Sequence, residues 1–105
     1  MLSLWSLLVS AQVPEDKARV TSIRRLELVR LVRQDCGSCH GLTLKGGLGP
    51  ALLPADLQDK PDDYLKLVIL HGRPGTAMPP WSRFLNESDA DWVVANLKRG
   101  FPDER

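Results

Sequence analysis

Cys36-Gly37-Ser38-Cys39-His40-Gly41 is the stretch that decides this chain. It holds both cysteines of the 105-residue sequence within one turn of backbone and sets an imidazole directly after the second. Two thiols three positions apart project from one side of a helical turn, where each can add across a vinyl group of one porphyrin. The imidazole that follows comes round to the face of the ring, within reach of an iron. C-x-x-C-H is the attachment signature of c-type haem, so we expect one covalent haem c on Cys36 and Cys39, with His40 as the proximal metal ligand. Two other chemistries use related spacings. A thioredoxin-like dithiol wants strand, helix and strand around it, and no strand-like alternation precedes Cys36. A structural zinc site needs four Cys or His ligands, and beyond the motif only His71 remains.

What closes the opposite face of such a haem decides between carrying electrons and doing haem chemistry. Met78 is the candidate. Apart from Met1 it is the only methionine, and it sits between Ala77 and the stiff pair Pro79-Pro80. A soft thioether stabilises ferrous iron and raises the potential, while the prolines limit how far the loop swings away. A lone methionine otherwise serves as core filler. His71 is the competing ligand; it would lower the potential, but it lies at a helix end, where terminal carbonyls compete for it.

A chain this short makes one small domain. Its hydrophobic fraction of 43% supports a modest core, and a domain of this size is marginal without a staple or cofactor. A haem would supply that apolar body, so the chain without it should fold poorly. A net charge of +1 leaves no nucleic-acid footprint. Residues 1–11 form a short apolar run in which Val9-Ser10-Ala11 resembles a signal-peptidase site before Gln12. No Lys or Arg precedes the run, and a frayed hydrophobic terminus is the competing reading. The run is too short to span a bilayer. We therefore expect an export signal over 1–11, a flexible lead-in over 12–19, a folded domain over 20–100 and a C-terminal tail over 101–105.

Within the domain, Val20, Ile23, Leu26 and Leu31 recur at three-to-four spacing, which predicts a helix from Ala18 or Val20 to Asp35. Arg19, Arg24, Arg25, Arg30 and Arg33 against Glu27 make it basic, usually the mark of a solvated face and less often of a docking surface. Gly46, Gly47, Gly49, Pro50 and Pro54 predict a loop. Pro61 opens the next helix, helped by Asp62 and Asp63, and Gly72 with Pro74 ends it. A proline-stiffened loop over 73–81 follows. The last helix starts after Asn86, an N-cap with Asp89 at the third position, and stops at Gly100.

The order of the haem motif, Gly49-Pro50, Met78-Pro79-Pro80 and a terminal helix resembles the class I cytochromes c over roughly 20–100. More narrowly, Gly46-Gly47-Leu48-Gly49-Pro50 and Gly72-Arg73-Pro74 through Trp81 resemble the small monohaem cytochromes of denitrifiers, the NirC family. That resemblance implies an all-α fold of short helices wrapped around one haem, and a monomeric electron-transfer protein rather than an enzyme. It also implies a periplasmic location and redox partner proteins, foremost a cd-type nitrite reductase. An accessory role in maturing that reductase's special haem is equally compatible. A catalytic haem from which Met78 dissociates is a third reading, against which the prolines argue. By the same resemblance Pro50 would offer its carbonyl to the His40 ring, and Gly41, Gly47 and Gly49 would admit backbone to the haem, although turn geometry alone accounts for glycines too. Trp81 and Arg73 would border the haem edge or a propionate, or simply pack and face solvent. Asn96 stands where many relatives carry an aromatic packed on the first helix, and Trp92, one turn earlier, is the residue that could rebuild that contact.

Overall fold

Thr21 starts the first helix: its hydroxyl accepts the Arg24 N–H at 3.1 Å and so caps α1 (Ser22–Arg30). The computed structural model describes residues 20–102; the export segment expected over 1–11, the lead-in over 12–19 and residues 103–105 lie outside the described residues. Every regular element is helical, with no strand among the described residues. None of those helices is long and apolar enough to cross a membrane.

The first helix does not stop at Asp35. It continues through a π-helical turn, Leu31–Cys36, into α2 (Gly37–His40), because Gly37 keeps a helical backbone at φ −64°. The extra residue in that turn changes the face presented by everything after it, a device common next to functional sites. The loop beyond contains one helical turn that the sequence hid, α3 (Pro54–Leu57). Pro54 reads as a breaker but sits at the first helical position, where its missing donor costs nothing. Asp56 accepts the Leu53 N–H at 3.1 Å and completes the cap. α4 (Asp62–His71) and α5 (Glu87–Arg99) fall where the pattern predicts. At the start of α5, Asn86 Oδ1 accepts the Asp89 N–H at 2.7 Å and Asp89 Oδ2 accepts the Asn86 N–H at 3.0 Å.

Two apolar clusters hold these elements together. Val32, Leu44, Leu57, Val93 and Leu97 make one; Leu28, Leu70, Leu85 and Ala90 make the other. Leu31, Ile69 and Trp92 touch both. Burying each Leu or Val side chain stabilises by about 1.5–3 kcal/mol.

The basic stretch of α1 is only partly a solvated face. Arg25 and Arg30 are exposed, but Arg24 donates to Asp89 at 2.8 and 3.3 Å and to the Phe84 carbonyl at 2.6 Å. Arg33 donates to the carbonyls of Phe101 at 2.7 Å and Pro102 at 3.1 Å, with its guanidinium 5.6 Å from the Phe101 ring centroid. The Phe101 ring in turn meets Trp92 edge-on at 5.8 Å. Trp92, Phe101 and Arg33 therefore build one contact between the first and last helical segments, while Asn96 donates to the Trp92 carbonyl at 2.9 Å and accepts from Arg99 at 3.3 Å. Phe101 and Pro102, placed by the sequence in a tail, are held by the fold.

Asp89 is 4% exposed. Burial opposes its charge, but hydrogen bonds from Arg24 and the Asn86 N–H outweigh burial and hold the carboxyl below the usual carboxylate range. Its stabilising effect is thus present above about pH 4 and is lost as pH falls through the depressed native value. Replacing Asp89 by Ala should destabilise the haem-loaded protein by about 2–3 kcal/mol at neutral pH. Asp62→Ala, which removes the exposed partner of Lys98 at 2.6 Å, should cost under about 1 kcal/mol. Urea titrations at neutral pH check the ranking, and titrations below about pH 4 should show the Asp89→Ala difference shrinking.

Candidate haem-binding site

Cys36, Cys39, His40 and Met78 all line one cavity of about 700 Å³. Val32 from the π-turn, Leu57 from α3, Leu65 and Ile69 from α4, and Val93 and Leu97 from α5 supply apolar wall. The volume falls within the roughly 300–1,000 Å³ typical of ligand and cofactor pockets. His71, the competing imidazole, is exposed and is not among the lining residues.

The direction of the His40 ring is fixed from the loop below it. Its Nδ1 stands 2.7 Å from the Pro50 carbonyl. A carbonyl can only accept, so Nδ1 carries the hydrogen and Nε2 keeps its lone pair free for a metal. To bring Pro50 there, the loop folds back on the end of α2: the Gly46 N–H donates to the His40 carbonyl at 2.8 Å and the Gly49 N–H to the Cys39 carbonyl at 2.7 Å. A Cβ on Gly49 would stand 2.8 Å from His40 Cε1 and Nδ1, so any other residue would have to displace the ring. At this glycine the close approach is to the imidazole, and the residue also lines the cavity. Leu44 takes a left-handed backbone at φ 62°, unusual for a branched residue, and is held there with its side chain 2% exposed in the core.

The two thiols are half-buried. Burial first, and then the charge of Asp35, push the Cys36 thiol up to about 11, so it is neutral at pH 7. A thioredoxin-type nucleophile wants the opposite shift. Among the described residues no three His, Cys, Asp or Glu side chains converge as a metal cluster. The dithiol and zinc readings of the motif therefore lack support from the local chemistry.

On the far side, Met78 sits in a loop pinned at both ends to α4. The Gly72 N–H donates to the Val68 carbonyl at 2.8 Å and the Trp81 N–H to the Ile69 carbonyl at 3.0 Å. Gly72, at φ 73°, does more than end the helix, because a Cβ there would stand 2.7 Å from the Met78 carbonyl oxygen. Trp81 both lines the cavity and packs on Phe84, ring centroids 5.8 Å apart. Arg73 lies exposed at the rim. Thr76, which no motif flagged, accepts the Met78 N–H at 3.2 Å. A threonine two residues before the methionine is the one trace of this that the sequence holds.

This donor set suits a haem c. An imidazole with Nε2 free, a thioether, two thiols on one helical turn and apolar walls are brought to one cavity.

Comparison with known proteins agrees. The family described as "Cytochrome C oxidase, cbb3-type, subunit III" matches residues 25–97. Cytochrome c55X of Pseudomonas aeruginosa is 54% identical over 77 residues, which cover 73% of this chain and 65% of that protein. A solved structure of the c-type cytochrome NirC superposes with a TM-score of 0.75 at 51% identity, covering 76% of this chain and 94% of that one. Dihydro-heme d1 dehydrogenase of Pseudomonas aeruginosa is 43% identical over 70% of this chain, a segment that makes up 15% of that larger protein. The chain thus spans just under two thirds of the c55X protein and nearly all of the NirC structure. Helices around an apolar cavity and these matches together place the chain in the cytochrome c family, whose members carry haem c, as a class I cytochrome c resembling NirC.

Proposed function

We propose that this chain is a periplasmic one-electron carrier that donates to a cd-type nitrite reductase in denitrification. One haem c is bound through Cys36 and Cys39, with His40 and Met78 as its axial ligands and the segment over 1–11 as its export signal. The observation that carries this reading is the placement of His40 and Met78 on one cavity while His71 faces solvent. When bound, the haem supplies a reversible ferrous–ferric couple. The protein's own residues do the rest. Pro50 and Gly49 orient His40 so that Nε2 points where a metal can be reached. The loop from Gly72 to Trp81 presents the thioether, which favours the ferrous form. Apolar walls from α4 and α5 keep water away. With His40 and Met78 both holding it, a bound haem would keep no open site for a substrate.

A second reading is favoured by one comparison. A protein named for dehydrogenating dihydro-haem d1 contains a segment 43% identical to this chain. The carrier would then take electrons from a maturation enzyme that finishes the reductase's special haem.

Three measurements test these readings. Met78→Ala should lower the midpoint potential by on the order of 0.1 V, within the span that axial ligands command, and should abolish the sulfur-to-iron absorption band; His71→Ala should change neither. If Met78→Ala leaves both untouched, the axial assignment fails. Gly49→Ala should push the His40 ring off Pro50 and shift the haem spectrum. Mixing the reduced protein with a cd-type nitrite reductase should oxidise it rapidly. Failure to do so, together with rapid reduction of the ferric protein by a dihydro-haem d1 dehydrogenase and its substrate, would replace donation with the maturation role.

A further inference from the structure

Met78 has two backbone polar groups, and both are tied back to Arg73. Its carbonyl accepts the Arg73 N–H at 3.1 Å. Its N–H donates to Thr76 Oγ1 at 3.2 Å, and that hydroxyl donates in turn to the Arg73 carbonyl at 2.7 Å. The Thr76 N–H reaches the same carbonyl at 3.0 Å. The segment 73–78 is therefore a closed ring of hydrogen bonds, and the Thr76 side chain is the link that joins the Met78 N–H to it. Residues 73–77 are all exposed. The internal ring holds the loop in shape between its two anchors on α4, with Arg73, Thr76 and Ala77 lining the cavity.

We propose that Thr76 is a positioning residue: its hydroxyl keeps the Met78 loop closed over the cavity and sets how often the thioether gives way to an outside ligand. The proposal rests on Met78 being an axial ligand and deepens that reading. Its physical basis is that losing the hydroxyl leaves the Met78 N–H and the Arg73 carbonyl each one partner short, which favours open conformations of the loop. A net hydrogen bond of ordinary strength changes such an equilibrium by about three- to tenfold.

The test uses the ferric, haem-loaded protein and imidazole as the incoming ligand. At saturating imidazole the binding rate equals the rate at which Met78 lets go. Thr76→Val keeps the β-branched shape and loses both bonds; it should raise that limiting rate about three- to tenfold. Thr76→Ser restores the hydroxyl and should return the rate to near the wild-type value. If valine binds imidazole no faster than wild type, or if serine is as fast as valine, the proposal is overturned. Met78→Ala separates the two layers of inference. If the wild type already binds imidazole as fast as Met78→Ala does, the axial assignment is wrong and Thr76 has nothing to position.

Discussion

The hydrogen bond from His40 Nδ1 to the Pro50 carbonyl, 2.7 Å long, is the constraint around which the central part of the chain is arranged. An imidazole at the end of a short helix can swing about two side-chain bonds, and this bond removes that freedom while leaving Nε2 free. The cost falls on the loop, which must turn back under the ring. It does so with a glycine pressed against the imidazole at 49 and a leucine in the left-handed region at 44. Left-handed backbone at a branched residue costs of order 1–3 kcal/mol and persists only when its surroundings over-determine it. Here the Leu44 side chain is buried with Val32, Leu57, Val93 and Leu97. The orientation of His40 is thus underwritten by the core rather than by the loop alone.

The same core links the ends of the chain to the cavity wall. α5 lines the cavity through Val93 and Leu97, while Ala90, on the same helix, is fully buried in the cluster that contains Leu28 of α1. A small residue there lets the helices come close. The Arg24–Asp89 pair fixes the start of α5 against α1, since Asp89 also closes the cap with Asn86. Displacing that end would tilt the wall formed by Val93 and Leu97. An ion pair remote from the site therefore helps to set its shape.

Much of this was legible in the sequence, and the failures share a cause. The haem motif, the cap at Asn86 and the stop at Gly72 are local signals whose chemistry is complete within a few residues. The π-turn, the helix of Pro54–Leu57 and the holding of Phe101 by Arg33 are not. Pro54 has the same composition signal as a loop proline, and only the position of Leu57 in the core separates the two. Arg33 is one of several arginines on a basic helix, and nothing local distinguishes it from Arg30, which stays in solvent. Gly72 was readable as a helix stop, but its second role depends on a carbonyl six residues away that the turn brings to it. What the sequence hides is every feature whose partner is chosen by tertiary packing.

In the proposed arrangement the two axial sides differ in kind. His40 stands on a helical turn, is bonded from below and is backed by buried side chains, whereas Met78 stands on a loop shaped by its own hydrogen bonds. The nitrogen side is thus the stiffer one, and the sulfur side is where the potential is tuned and where any exchange begins. Both sides are still positioned by the protein's own bonds, so a bound haem would have little to rearrange when its iron changed charge, which is what fast electron transfer requires. A thioether and apolar walls both favour ferrous iron and hence a raised potential. A carrier of that kind is a good acceptor from a reduced tetrapyrrole and can still deliver to a nitrite-reducing enzyme. The two proposed roles therefore make the same demand on the interior of this fold, and the choice between them belongs to the exposed residues that meet the partner.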